Sequence, residues 1–155
     1  MDVYAKMKEL GITLPPAPAK GGVYTPAREF GPDSKLIYVS GCGPQEGDKN
    51  EYLGKLGRDL TLEQGQQAAR NCAMNILAVL EAKLGDLNRI KKFVKMTAFV
   101  ASDPDFYQQP QVANGASQVF VDIFGDDGAA ARSAIANPVL PGNIAVEVEM
   151  LLELK

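Results

Sequence analysis

From Ile144 onward the chain alternates. Ile144, Val146, Val148, Met150, Leu152 and Leu154 fall on one side, and Ala145, Glu147, Glu149, Leu151 and Glu153 on the other. Period two over that length predicts a β-strand with one buried face. Upstream, Ala131–Ala136 reads as a second strand, and Leu140-Pro141-Gly142-Asn143 as the turn of a C-terminal hairpin joining the two. A different period governs residues 62–84. There Leu62, Gly65, Ala69, Cys72, Ala73, Ile76, Leu80 and Leu84 share one helical face. Thr61 and Gln64 form a capping box at its start, and Gly85 ends it. A second helical stripe, Val112, Ala116, Val119, Phe120 and Ile123, closes at Gly125, with Ser102-Asp103-Pro104 as a cap and Pro110 as a restart. Between the two helices Ile90–Ala101 is a strand, with Val94, Met96, Ala98 and Val100 on one side and Phe93, Lys95, Thr97 and Phe99 on the other. Val23–Phe30 and Lys35–Ser40 are two further strands about a Gly31-Pro32-Asp33-Ser34 turn.

The order strand, strand, helix, strand, helix, strand, strand predicts an α+β sandwich, a β-sheet with two helices packed on one face. The helices cannot cover the other face, where the pattern puts Phe93, Phe99, Tyr38 and Leu151. So much apolar surface predicts self-association. Residues 1–20 are expected to be a short amphipathic helix (Val3–Leu10) followed by a Pro-rich arm, and residues 21–155 a single domain.

Composition narrows the chemistry. The chain of 155 residues has no histidine, which excludes Ser-His-Asp, Cys-His and His-ligated zinc mechanisms. Cys42 and Cys72 are too few for a metal cage or a disulfide framework, so both are expected free, in a reducing cytoplasm, with no metal and no cofactor. Sixteen basic against nineteen acidic residues give a net charge of -3, which disfavours a nucleic-acid partner. No stretch reaches the ~20 apolar residues of a membrane span, and no secretory leader is evident.

Two charged side chains stand out in the last two strands. Arg132 is a lone guanidinium among small residues, suited to bidentate capture of a carboxylate. Glu147 could hold a water and would do so better if burial raised its pKa. An ion pair fastening one strand to its neighbour or to another subunit explains the same residues, and Glu149, on the strand face of Glu147, is the alternative partner for Arg132 that would leave Glu147 free.

The runs "ARSA", "LPGN" and "VEVE" in this order resemble the closing signature of the Rid family, also called YjgF-like or L-PSP endoribonuclease-like. The resemblance extends from about Tyr24 to the C-terminus. It implies a chorismate-mutase-like fold assembled as a homotrimer, with pockets between subunits for a small carboxylate-bearing metabolite. It also implies hydrolytic deamination of reactive 2-imino acids and their enamine tautomers to keto acids and ammonia. By motif, Arg132 would bind the substrate carboxylate, with Ser133 beside it. Glu147 would assist the water, Tyr24 would close the pocket, and Ser40 and Gly41 would lie on its rim. Ala134 stands where the deaminases often have Cys, and the arm together with "DFYQQPQVANGAS" resembles a longer branch of the family. Two other readings stay open: a non-catalytic trimer that binds a small carboxylate, and the endoribonuclease of the family's older name.

Overall fold

The computed structural model describes residues 2–155 as a mixed five-stranded sheet with three α-helices. The elements are α1 (Val3–Glu9), β1 (Ala27–Phe30), β2 (Leu36–Cys42), α2 (Leu62–Leu84), β3 (Ile90–Ala101), α3 (Gln109–Phe124), β4 (Ala131–Asn137) and β5 (Val146–Leu154). Across the sheet the order is β1-β2-β5-β3-β4, antiparallel everywhere except between β3 and β4. The long helices α2 and α3 cover one face, as the periodicity requires. The other face, called the open face below, carries no helix.

The expected C-terminal hairpin is absent. β4 pairs in parallel with β3 on the sheet edge, and β5 sits two places away, between β2 and β3. The physical reason lies in the connections. Parallel strands need a long crossover, and α3 supplies one between β3 and β4. Pro138 and Pro141 meanwhile break up the segment joining β4 to β5 and prevent a tight hairpin turn. Strand β5 buries every second residue from Val146 to Leu154, as its alternation predicts.

Strand β3 departs from simple alternation. Register shifts between Ile90 and Lys92 and between Phe93 and Lys95 each insert an extra residue, which turns Phe93 to the helix side. There it is 3% exposed and stacks on Phe120 and Phe124, with ring centroids 4.6 and 4.9 Å away. The open face therefore loses Phe93, but it keeps Phe99, Tyr38, Leu151 and, at its edges, Phe30 and Ile135.

The capping box at Thr61 is formed in both directions, and α2 ends at Gly85 with φ 72°. Helix α3 begins later than expected, at Gln109 with Pro110 in its first turn and no side-chain cap. Residues 103–108 precede it without helical structure. A glycine on α3 lets the two helices touch. A Cβ on Gly115 of α3 would lie 2.0 Å from the Gln66 backbone oxygen of α2. Since backbone cannot step aside as a side chain can, Gly115→Ala is expected to cost about 1–3 kcal/mol. That cost corresponds to a fall in Tm of roughly 2–12 °C for a chain of this size. Calorimetry of the variant checks it.

At the N-terminus, Asp2 caps α1, and Val3 and Met7 are buried against the α2–α3 layer. Tyr4 Oη donates to Glu81 and accepts from the Leu87 N–H, tying α1 to the C-terminal end of α2. The Pro-rich arm then runs back over α2 toward β1. Among the described residues no helix is long and apolar enough to cross a membrane.

Candidate functional site

Residues Ser40 and Gly41 form an irregularity at the end of β2. Pairing with β5 is regular from Leu36 to Val39, opposite Met150, and resumes only at Cys42 opposite Val148, so the two residues bulge across from Glu149. Ser40 donates its Oγ hydrogen to the Thr25 carbonyl at 2.8 Å and its N–H to the Pro26 carbonyl at 2.9 Å. These bonds fix the bulge to the segment that carries Tyr24. Tyr24 is 46% exposed, and its Oη accepts the Gly21 N–H. With Lys20 and Cys42 these residues border a small cavity of about 40 Å³. The structure thus gathers Tyr24, Ser40 and Gly41 at one cavity, which Glu147 does not line.

The carboxylate of Glu147 lies directly over Gly41. A Cβ there would be 1.9 Å from Oε1 of Glu147 and 2.7 Å from its Cδ. Only glycine leaves room for the acid in this position. Glu147 is half-buried and, among the described residues, accepts no hydrogen bond. Burial raises its pKa above the usual carboxylate range, and the negative charge of Glu149 adds to the rise. Glu149 is engaged elsewhere, since it accepts a 3.0 Å hydrogen bond from Tyr38 Oη. Burial pushes the Cys42 thiol up to about 12, with a further contribution from Glu147, so Cys42 is no nucleophile at neutral pH. Cys72, wholly buried on α2, is likewise raised, and both cysteines are free.

Arg132 is elsewhere. Paired in register with Met96, it faces the helix layer and not the open face, so neither Glu147 nor Glu149 is its partner. Its Nη1 donates to Asn114 Oδ1 (2.9 Å) and Ser117 Oγ (3.0 Å), and its Nη2 donates to the Pro110 carbonyl (3.1 Å). Of the five donors, Nε–H and one Nη2–H remain without a partner among the described residues. Ala134 shares the helix face with Arg132 and packs against the core. Ser133 points to the open face and accepts from Lys95 Nζ. Within the chain the alternative, an ion pair from Arg132 to Glu147 or Glu149, does not form, because Arg132 faces the helix layer, both acids face the open side, and β3 lies between β4 and β5.

Asn114 and Ser117 escaped the sequence reading. Their spacing of three on α3 places both on one helical face, and that polar pair interrupts the flank of an apolar stripe. It was the available signal for a helix that grips a guanidinium.

Replacing Gly41 by Ala is expected to keep the sheet and expel the Glu147 carboxylate from its place. Overpacking of this kind costs about 1–3 kcal/mol. A crystal structure of the variant showing Glu147 unmoved would contradict this account.

The chain matches the family described as "YjgF/chorismate_mutase-like, putative endoribonuclease" over residues 5–154, and belongs to it. It is 40% identical to Protein TCP17 of Trypanosoma cruzi over 153 residues, covering 98% of this chain and 94% of that protein. Among solved structures it is similar to a putative endoribonuclease from Shewanella oneidensis, with a TM-score of 0.93 and 30% identity over 99% of this chain and 100% of the other. It is also similar to RidA from an Antarctic Psychrobacter species, with a TM-score of 0.61 and 27% identity over 89% and 94% of the two chains. The fold is the YjgF/chorismate-mutase-like one that the sequence motifs imply.

Proposed function

We propose that this protein is a hydrolytic deaminase of small reactive imines and enamines, chiefly 2-imino acids. The products would be keto acids and ammonia, and the active form a homotrimer with its pockets between subunits. The observation that carries the reading is Glu147, a half-buried carboxyl without a hydrogen-bond partner among the described residues, held over Gly41 of the β2 bulge. A carboxyl with a raised pKa can accept a proton from water as it attacks the imine carbon and return one to the departing nitrogen. Imine hydrolysis needs that exchange and a fixed substrate more than a covalent nucleophile. The two open donors of Arg132 suit the substrate carboxylate.

Arg132 and Glu147 lie on opposite faces of one sheet, so a pocket using both draws them from two chains. The uncovered open face, with Tyr38, Phe99, Leu151 and Ile135, gives the physical motive for such an assembly. Three chains of 16.6 kDa predict a particle of about 50 kDa by light scattering, and a monomer mass would remove the shared pocket.

Mixing subunits tests the reading directly. Arg132→Ala and Glu147→Gln trimers are each expected to be inactive on 2-imino acids generated in situ by an amino-acid oxidase. Subunit exchange between them should restore activity, because some pockets then join an intact Arg132 to an intact Glu147. If activity does not return after verified exchange, the two-chain site is wrong.

A non-catalytic carboxylate-binding trimer has one observation in its favour. Ala134 offers no functional group, so Glu147 alone must manage the water. Absence of turnover together with binding of a 2-keto acid would select it. The ribonuclease of the family's older name is the weaker reading for this chain, which has neither a histidine nor an excess of basic residues.

A further inference from the structure

A cavity of about 410 Å³ lies on the helix side between the Pro-rich arm, the Gln45–Gly47 turn and α2. One wall is rigid. Asn71 and Asn75 of α2 are 5% and 2% exposed and spend their amide hydrogens on the turn. Asn71 Nδ2 donates to Glu46 Oε1 (2.7 Å) and the Pro44 carbonyl, while Asn75 Nδ2 donates to the Gly43 and Gln45 carbonyls. These bonds hold the Glu46 carboxylate at the cavity by one oxygen and leave the other open.

Arg70, one helical position before Asn71, lines the same cavity and is partly buried. The ion pairs among the described residues use Lys6, Arg58, Lys83, Arg89, Lys91 and Lys92, and none uses Arg70. Nor does it donate a side-chain hydrogen bond among the described residues. A partly buried guanidinium in no ion pair, in a cavity large enough for a small molecule, offers its donors to an anionic group of a ligand. The remaining lining is apolar: Met74 from α2 and Leu14, Pro15 and Pro16 from the arm. Residues 13–20 form no hydrogen bond among the described residues, so this second wall can adjust to an occupant.

We propose that this cavity binds a small zwitterionic amino acid with an apolar side chain. Its carboxylate pairs with Arg70, its ammonium with the open oxygen of Glu46, and its side chain lies against Met74 and the two prolines. The opposed charges at the polar end exclude simple monoanions and amines as equal ligands. Gln45 borders both this cavity and the small one at Gly41, yet the binding site does not depend on Glu147 or Arg132.

Titration of the whole protein with L-leucine, followed by calorimetry or NMR shifts, tests the proposal. 4-Methylpentanoate, which lacks the amine, and 3-methylbutylamine, which lacks the carboxylate, serve as comparison probes. Leucine is expected to bind wild type with a Kd of about 1 mM or tighter, and both comparison probes about tenfold or more weakly. Arg70→Gln and Glu46→Gln should each weaken leucine about tenfold or more, as the loss of one charge-assisted contact implies. Arg132→Ala should leave leucine binding unchanged, which separates this site from the proposed active site. The proposal fails if wild type shows no binding of leucine at about 10 mM, if Arg70→Gln binds as wild type does, or if Arg132→Ala abolishes binding. If Glu46→Gln does not fold, because it loosens the Asn71 contact, Arg70→Gln decides alone.

Discussion

Glu147→Gln is expected to lower imine hydrolysis by about 10²–10⁴-fold, the usual contribution of a general acid–base group, while the fold becomes no less stable at neutral pH. The second half of that expectation follows from the raised pKa of the residue. Burial and the neighbouring Glu149 disfavour the charged form, so the native protein holds the Glu147 proton more tightly than the unfolded chain does. Where the native state binds more protons than the unfolded one, stability falls as pH rises. The loss begins near the ordinary glutamate pKa, is complete above the raised one, and stays constant at higher pH. Glutamine has nearly the same shape and no charge, so it removes that penalty. Melting curves at pH 8 should therefore place the variant at or above wild type, and the two should converge as the pH falls to about 3, below the ordinary glutamate pKa, where Glu147 is protonated in both states. A clear fall in Tm of the variant at pH 8 would mean that the carboxylate makes a stabilising contact, and it could not then be poised for proton transfer.

How much of this could be read from the sequence depended on whether neighbours in space were also neighbours in pattern. Helix α2 was legible in full, because Thr61, Gln64 and Gly85 specify its ends and one stripe its buried face. Strand β5 was legible because it is buried on one side over nine residues without interruption. Strand β3 was misread at Phe93, since two bulges reset the alternation and a bulge leaves no mark in residue type. The position of β4 was misread for a different reason. Adjacent strands in sequence suggested a hairpin, whereas the α3 crossover makes β4 a parallel partner of β3. That one topological error carried the candidate site with it. A hairpin would have put Arg132 within reach of Glu147 or Glu149, and the actual sheet puts it on the other face. The segment around Ser40 was easier to place, because a bulge and two hydrogen bonds fix it locally to the stretch that carries Tyr24, and Gly41 lies under the Glu147 carboxylate. Asn114 and Ser117 could be recognised only once α3 was known to pack beside β4.

Arg132→Ala is the other substitution with a large expected effect on activity, and the corrected geometry changes what it should do to stability. The side chain offers Nε–H and one Nη2–H to a ligand, and each charge-assisted hydrogen bond contributes about 1.5–3 kcal/mol. Losing both should reduce catalytic efficiency by roughly 10²–10⁴-fold. The same truncation also removes three bonds that tie β4 to α3, through Asn114, Ser117 and the Pro110 carbonyl. Their partners are neutral and close enough to the surface for water to replace the guanidinium, so the cost to folding should be only about 1–3 kcal/mol. No carboxylate is stranded, because Glu147 and Glu149 lie across the sheet, and the collapse expected from breaking a buried ion pair should not occur. Arg132→Lys sharpens the test. It keeps the charge but cannot reach Asn114, Ser117 and Pro110 while presenting two donors to a substrate. The lysine variant should therefore fold and assemble as wild type does yet lose most of its activity, with the loss expressed in binding of the substrate carboxylate. If it retained wild-type kcat/KM, charge alone would suffice and the planar fork would have no role. If instead both variants melted far below wild type while still binding 2-keto acids normally, Arg132 would be a strap between β4 and α3, and the carboxylate would have to be held by another cation.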